Sequence, residues 1–200
     1  MLAITSFVPA RMSGWHYLIA FVIGLSLVFA FAPFEWRVVA WLVPAVLFWL
    51  LLTPMRLKQR FFLTWLTGIG IFAGGAHWIY VSLHQYGDAS VILAGAMVAI
   101  FVVVMGLFLT VIAFITHFYR HLPVWLKLVA VFPAAWWLSE WLRSWALLGG
   151  FPWLQLGHAQ IDTWLVGFAP LIGSQGVSYL VALGAGALVL IVLGSWRQRL

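Results

Sequence analysis

The stretch ASVILAGAMVAIFVVVMGLFLTVIAFIT, residues 89–116, contains 28 residues and no charged side chain. A helix rises about 1.5 Å per residue and the hydrocarbon core of a bilayer is about 30 Å thick, so about 20 apolar residues are enough to cross it. The stretch is therefore predicted to be a membrane-spanning helix.

The composition of the rest of the chain agrees with this prediction. Of the 200 residues, 66% are hydrophobic and 7% are charged, whereas soluble domains average about 45–50% and about 25%. So few charges do not cover a soluble domain, which excludes a water-soluble globule, a disordered chain and a nucleic-acid-binding protein. The chain also has no cysteine, which excludes disulfides, thiolate metal ligands and a cysteine nucleophile within these residues.

Other apolar segments lie on both sides of residues 89–116. We predict an all-α fold, a polytopic transmembrane helical bundle of about six spans, at residues 15–32, 38–52, 61–83, 89–116, 122–142 and 171–194. A cleaved signal peptide is the alternative for the first span. We reject it because the apolar stretch is long and because the charge pattern requires that span. With no internal repeat or soluble region, residues 1–200 are predicted to form one transmembrane domain.

The loops between the spans sort the charges by sign. If the N-terminus is cytoplasmic, eight of the ten basic residues fall on the inner side: Arg11, Arg56, Lys58, Arg60, Arg120, Lys127, Arg197 and Arg199. The outer side receives Arg37, Arg143 and all the acidic residues, namely Glu35, Asp88, Glu140 and Asp162. Basic residues in short loops stay in the cytoplasm. The net charge of +6 therefore indicates an orientation and requires no nucleic-acid partner.

Six tryptophans lie between residues 136 and 164, near the outer end of the fifth span. An aromatic belt at the lipid headgroups accounts for most such tryptophans. Here, however, Glu140 lies three residues before Arg143 on the helix face next to that of the tryptophans, so the two side chains can pair. Two interpretations stay open. The pair is a wet salt bridge worth under about 1 kcal/mol, or it orients a phospholipid headgroup or a peptide terminus.

The segment ALLGGFPWLQLGHAQIDTWLVGFAP, residues 146–170, is too apolar for a loop in water and too rich in glycine and proline for a straight span. We expect it to lie in or dip into the outer interface. It is either a re-entrant lid packed on the bundle or a wall of a lipid-accessible cavity.

The third span carries Gly70 and Gly74, whose spacing favours close packing against another helix. Its outer end has His77 and His84, seven residues apart, with no cysteine or paired acid to complete a metal site. We therefore predict no metal and no cofactor. Serine, histidine and aspartate occur without a nucleophile motif, so a serine hydrolase is not indicated.

Five motifs together resemble the N-terminal membrane part of bacterial apolipoprotein N-acyltransferase. They are FAPFEW (31–36), HWIYVSLHQYG (77–87), SEWLRSW (139–145), GGFPWLQLGHAQID (149–162) and APLIGSQGVSYL (169–180). The resemblance implies a multi-pass enzyme of the bacterial inner membrane. Such an enzyme transfers an acyl chain from a phospholipid donor to the N-terminal lipidated cysteine of a diacylglyceryl lipoprotein, at the periplasmic face.

The resemblance also implies that, in this family, a nitrilase-like domain with a Glu, Lys and Cys triad performs the chemistry through a thioester. That domain is expected to be absent from this chain, so the chain alone is predicted to be inactive and no catalytic residue is assigned. The expected role is an anchor and lipid-access scaffold. The substrate-binding candidates at its outer-face motif positions are Trp78, Tyr80, Glu140, Arg143, Trp153 and Gln155, and Pro152 belongs to the same motifs.

A small transporter or lipid-binding membrane protein without catalysis is the competing hypothesis. Such a protein would use the Glu140 and Arg143 region as a binding site. Transporters often contain paired broken helices in two related halves. Here the glycine-rich third span and the broken segment after the fifth span are not matched as repeats, which counts against a transporter. Saturable flux in liposomes would support this alternative.

Overall fold

A computed structural model describes residues 13–146 and 149–197, with side chains up to residue 194. Every regular element in these residues is helical, which confirms the all-α prediction. The α-helices are α1 (Gly14–Ser26), α2 (Val39–Leu52), α3 (Leu57–Gly75), α4 (Trp78–Val81), α5 (Val91–Phe108), α6 (Val111–Phe118), α7 (Val124–Leu126), α8 (Phe132–Arg143) and α9 (Ala169–Arg197). Arg11 and Arg199, two of the predicted inner-side bases, lie outside the described residues.

Tight and wide turns connect or extend these helices. Three 3₁₀ turns span Leu27–Ala30, His158–Gln160 and Trp164–Phe168. Two π-helical turns span Ser82–Tyr86 and Lys127–Val131. The second π turn is followed by Pro133 in the first turn of α8. Proline lacks the N–H that would continue a regular helix.

All six predicted spans contain helices, but fewer segments have the dimensions of a span. Within the described residues, Val91–Phe118 and Trp164–Gly194 are long and apolar enough to cross a membrane. A third qualifies if Leu57–Gly75 and Trp78–Tyr86, which meet at an angle of 51°, count as one span. The apolar helices in Gly14–Ala30 and Val39–Leu52 are shorter. The total of about six spans stays a prediction.

The third predicted span, residues 61–83, is not one straight helix. The chain bends between α3 and α4, immediately after Gly74 and Gly75. His77 lies in the bend, with its Nδ1 3.0 Å from the carbonyl oxygen of Gly74. Two adjacent glycines weaken a helix because they lose the most backbone entropy on folding. The bend directs α4 away from the axis of α3.

Helix α3 lies at the centre of one half of the bundle and contacts both α1 and α5. A Cβ atom added to Gly24 would collide with the carbonyl group of Thr67, and one added to Gly70 would collide with the carbonyl of Phe21. One on Gly74 would lie 2.8 Å from the Leu25 oxygen. The backbones of α1 and α3 are therefore in direct contact, which confirms the predicted role of the small residues.

The other half of the bundle is formed by α2, α8 and α9. Phe48 of α2 packs against Phe132 and Trp136 of α8, with ring centroids 5.1 and 6.3 Å apart. The outer surface is apolar as well: Ile92 of α5 is 85% exposed and Leu171 is 82% exposed. An apolar core inside an apolar surface is typical of a protein surrounded by lipid.

The bundle separates its charges between two ends. We call the acidic end the one where α3 and α8 finish, because Leu154 packs against Gly75 and Arg37 binds Asp162 there. We call the basic end the opposite one, where α3 begins and where Arg60, Arg120 and Lys127 lie. This separation agrees with the predicted sorting of charges between loops.

Candidate functional site

The candidate site is built on the last turns of α8, at the acidic end. Trp136, Ser139, Glu140 and Arg143 recur three or four residues apart, so they share one helix face, and all four are buried. Glu140 is 3% exposed and Arg143 is 5% exposed. Charged side chains are seldom buried this completely unless hydrogen bonds or opposite charges compensate them.

The Glu140 carboxylate joins α8 to the segment that follows it. Its Oε1 accepts one hydrogen bond from Nε1 of Trp136 at 2.9 Å and another from the backbone N–H of Leu156 at 3.0 Å. Its Oε2 is buried and has no hydrogen-bond partner within the described residues. The carboxylate therefore fixes the backbone of the following segment at Leu156.

The Arg143 guanidinium holds the same segment at an earlier point. Its Nη1 donates to the carbonyl of Phe151 at 2.8 Å and also to the carbonyl of Trp153. The guanidinium carbon lies 5.3 Å from the centroid of the Phe72 ring, within the range of a cation–π contact. Arg143 lies immediately after the predicted fifth span. Burial lowers the pKa of its guanidinium, and the nearby Glu140 carboxylate offsets only part of this shift.

The predicted direct pairing of Glu140 with Arg143 is wrong. The salt bridges among the described residues both involve Arg37, which binds Glu35 at 3.3 Å and Asp162 at 2.8 Å. Glu140 and Arg143 interact over a longer distance while their hydrogen bonds go to groups of residues 151–156. The wet salt bridge is excluded as well, because both side chains are buried.

Residues 149–168 form an irregular segment that turns back onto the bundle. It begins with Gly149 and Gly150 at φ angles of 86° and 92°, in a region that glycine enters without strain. A Cβ atom on Gly150 would also collide with the carbonyl of Ser144. Leu154 has a φ of 60°, an unusual value for a residue with a side chain. This turn brings the following residues, Gln155 and Leu156, into the core.

Gln155 connects this segment to two helices through its side-chain amide. Its Nε2 donates to Oγ of Ser144 at 2.9 Å, and its Oε1 accepts from Oγ of Ser174 at 3.0 Å. The backbone N–H of Gly157 donates to Oγ of Ser178 at 2.8 Å. The segment is thus packed on the bundle, as the lid interpretation expects. Gln155 and the Gly157 N–H are hydrogen-bonded there, whereas the buried Nε2 of Gln160 has no partner among the described residues.

Aromatic rings lead from the buried arginine to the surface. Phe151 packs against Phe72 and Trp153, with centroid distances of 5.9 and 5.1 Å, and Trp153 packs against Trp78 at 6.3 Å. Trp153 is 52% exposed and Trp78 is 44% exposed. Their indole rings form the surface above the buried charges. We call this pair the Trp78–Trp153 ridge.

The cavity beside the buried charges is too small for a substrate. It is lined by residues of α3, α5 and α8, including Phe72, Met105, Glu140 and Arg143, and its volume is about 10 Å³. That volume holds at most one water molecule. A larger molecule therefore does not fit beside the buried charges, whereas the Trp78–Trp153 ridge is exposed on the surface.

The structure brings five of the six predicted substrate-binding residues together, and the sixth lies elsewhere. Glu140, Arg143, Trp153 and Gln155 belong to one hydrogen-bonded unit, and Trp78 packs on its rim. Tyr80 packs against His84 at 5.5 Å and lines a different groove, of about 600 Å³, between α3 and α5. Although close in sequence to Trp78, Tyr80 is not part of the buried cluster.

Four side chains that were not predicted complete the hydrogen-bond network, namely Ser144, Ser174, Gln175 and Ser178. Ser144 accepts from Gln155 and from Nε2 of Gln175 at 3.1 Å. Ser174 and Ser178 of α9 are four residues apart, so they share the helix face that meets the segment. This spacing within the GSQGVSYL motif was the available signal. Within residues 13–146 and 149–197, no three histidine or acidic side chains come together as a metal site would require.

Residues 23–187 match the family model described as the apolipoprotein N-acyltransferase N-terminal domain. The chain belongs to the apolipoprotein N-acyltransferase family. It is 43% identical over 180 residues to the apolipoprotein N-acyltransferase of Coxiella burnetii and 40% identical over 181 residues to that of Methylococcus capsulatus. These alignments cover 87% and 90% of this chain.

The apolipoprotein N-acyltransferase relatives are longer than this chain. The alignments cover 36% of the Coxiella burnetii protein and 34% of the Methylococcus capsulatus protein. The alignment with a relative from Vibrio parahaemolyticus, 37% identical over 176 residues, also covers 34% of that relative. The chain therefore spans about a third of the length of the curated relatives it matches. The family match includes the segment packed on α8 and the buried residues of that helix which we call the α8 cluster, namely Trp136, Ser139, Glu140 and Arg143.

Proposed function

We propose that this chain forms the membrane part of an apolipoprotein N-acyltransferase, where it anchors the enzyme and admits its lipid substrates. The donor would be a phospholipid and the acceptor a diacylglyceryl lipoprotein with a lipidated N-terminal cysteine. The supporting observation is the α8 cluster, in which two buried charges hold the segment that carries Trp153, and Trp153 packs against Trp78 of α4 to form the exposed ridge. No observation favours a transporter, and the family match argues against one.

The proposal divides the predicted substrate-binding residues into two groups. Trp78 and Trp153 are exposed enough to contact a lipid or a lipopeptide, and indole rings combine an apolar body with an N–H donor. Glu140, Arg143 and Gln155 are buried and hydrogen-bonded to the segment, so they act as positioning residues. Tyr80 would contact an acyl chain in the groove between α3 and α5, whose lining is largely apolar.

The proposed orientation follows from the separation of charges. The basic end would face the cytoplasm of a bacterial cell and the acidic end the periplasm, with the N-terminus cytoplasmic and the protein in the inner membrane. These 200 residues contain no cysteine. A thioester mechanism therefore requires a nucleophile from a further catalytic domain, which would dock at the acidic end beside the Trp78–Trp153 ridge.

A chimeric enzyme tests the proposed function. This chain would replace the matching third of the Coxiella burnetii relative, and the product would be assayed with phospholipid vesicles and a diacylated lipoprotein peptide. We expect the chimera to form triacylated peptide and the isolated chain to form none. An inactive chimera beside an active Coxiella burnetii enzyme would contradict the proposal.

Single substitutions in the chimera test the role of the ridge. We expect Trp153→Ala to lower kcat/KM about tenfold, which corresponds to about 1.4 kcal/mol of lost transition-state stabilisation. The matched control is Trp15→Ala, since Trp15 is also an exposed tryptophan but lies on α1, away from the ridge. Equal activities of the two variants would show that the ridge is only part of an aromatic belt and has no role in substrate binding.

A further inference from the structure

The basic end of the bundle contains cationic groups that the protein itself does not neutralise. Arg60 of α3 is 4% exposed, and its Nη1 donates to Oγ1 of Thr116 at 3.3 Å. Its Nε is buried and has no hydrogen-bond partner among the described residues, and the same holds for Nδ1 of His117. A buried guanidinium with an unused donor indicates a missing acceptor.

Two more cations lie beside Arg60. Nη1 of Arg120 donates to the carbonyl of His117 at 2.9 Å, and Nζ of Lys127 is 3.4 Å from the carbonyl oxygen of Arg120. Both cations are close enough to Arg60 to repel it electrostatically. Three positive charges from three chain segments therefore converge on one place.

No acidic side chain compensates this convergence. The chain has four acidic residues, all within the described part. Glu35 and Asp162 bind Arg37, and Glu140 is hydrogen-bonded within the α8 cluster. Asp88 follows the π turn at the far end of α3 and α4. The neutralising anion must therefore come from outside the described residues.

The surroundings of the cations point to the chemistry of that anion. Pro123, Val124 and Trp125 lie in the chain between Arg120 and Lys127, and they line an apolar groove of about 530 Å³. Leu52, Leu190 and Leu193 form its other side. A phosphate next to an apolar chain is the chemistry of a phospholipid, and arginine binds phosphate oxygens with well-defined geometry.

We propose that Arg60, Arg120 and Lys127, assisted by His117, bind the phosphate of an anionic phospholipid in the leaflet at the basic end, with an acyl chain along the groove at Pro123–Trp125. The site lies at the opposite end of the bundle from the Trp78–Trp153 ridge. It stands whether or not the proposed acyltransferase function holds.

The test uses the 200-residue chain in a neutral detergent. Short-chain phosphatidylglycerol, the matching phosphatidylcholine and inorganic phosphate are added separately, and the thermal unfolding midpoint is followed by tryptophan fluorescence. We expect a saturable rise with phosphatidylglycerol and no rise with the other two at equal concentration. An equal rise in the unfolding midpoint with phosphatidylcholine would overturn the role of charge. An equal rise with inorganic phosphate would show that the site binds free phosphate and would overturn the proposal of a lipid ligand.

Substitutions locate the binding site. Arg120→Gln and Lys127→Gln should each weaken phosphatidylglycerol binding about fivefold, the effect of one basic residue near an anionic membrane surface. Neither variant alters the buried Arg60. The matched control is Lys58→Gln, which removes the same charge from an exposed position of α3 and should leave the affinity within about twofold. Equal losses in all three variants would show non-specific attraction and overturn the proposal.

Discussion

The two ends of the bundle manage buried charge in opposite ways. At the acidic end, Glu140 and Arg143 are enclosed by hydrogen-bond partners from the segment that follows α8. At the basic end, Arg60 is equally buried, but its neighbours Arg120 and Lys127 carry the same charge. In the first arrangement charges of opposite sign lie within the protein, although Oε2 of Glu140 has no hydrogen-bond partner among the described residues. The second arrangement has only positive charges and requires an anion from its surroundings.

This difference separates two uses of a buried cation. Arg143 stabilises one loop conformation, because an uncompensated charge would remain in the core if the loop moved away. The basic end offers a site for a mobile ligand, whose binding stabilises the fold by an amount that rises with the logarithm of the ligand concentration. Substitutions at the two ends should therefore differ in size and in their response to lipid.

The largest expected effect is at the acidic end. Arg143→Ala removes the guanidinium from the carbonyls of Phe151 and Trp153 and leaves Glu140 without its nearby positive charge. We expect it to lower the free energy of unfolding by about 3–5 kcal/mol, because it leaves the buried Glu140 charge uncompensated. Denaturant unfolding in mixed micelles, followed by tryptophan fluorescence, measures this change.

The control for Arg143 is Arg37, which forms the exposed ion pairs of the same end. Arg37→Ala should cost under about 1 kcal/mol because exposed ion pairs contribute little. If both variants lose the same stability, the α8 cluster has no special role in holding the segment.

The turn that starts the segment should be nearly as sensitive. Gly150 has a φ of 92°, and a Cβ atom there would collide with the Ser144 carbonyl, so Gly150→Ala should cost about 2 kcal/mol in the same unfolding experiment. Gly95→Ala is the control, because Gly95 is helical and has open space beside it. That change should stabilise the protein by up to about 1 kcal/mol. If Gly150→Ala leaves the free energy of unfolding unchanged, the turn differs from the one described.

A smaller loss of stability is expected at the contact between α9 and the segment of residues 149–168. Ser178→Ala removes the acceptor of the Gly157 N–H and leaves that buried donor unpaired, at a cost of about 1.5 kcal/mol. Ser82→Ala is the control, since Ser82 is exposed and its hydroxyl contacts only the carbonyl of its own helical turn. Hydrogen exchange at residue 157 should rise in the first variant and stay unchanged in the second.

The smallest effect on stability is expected at the basic end. In neutral detergent Arg120→Gln should change the free energy of unfolding by under about 0.5 kcal/mol, because Arg120 is exposed and its charge repels Arg60. With phosphatidylglycerol present, the same variant should be less stable than the wild type. A large loss in the absence of lipid would show that Arg120 supports the fold itself, and the contrast between the two ends would fail.

Local patterns in the sequence predicted the helices well, because apolar length and the positions of glycine and proline act locally. The same reasoning placed Glu140, Arg143, Trp153 and Gln155 in one region. It did not find their partners, since the carbonyl of Phe151 and the N–H of Leu156 reach α8 only through the turn at Gly149–Gly150. Helical spacing predicted an ion pair where the chain provides backbone groups instead.

The central claim is that the buried α8 cluster presents the Trp78–Trp153 ridge to a phospholipid. It is tested most directly with this chain in vesicles that contain a phospholipid with a photoreactive group at its headgroup, after mapping the labelled residues by mass spectrometry. We predict that labelling at Trp78 and Trp153 exceeds that at the exposed Trp15, and that Arg143→Ala removes the excess. Equal labelling of the three tryptophans, or an excess that survives Arg143→Ala, would contradict the claim.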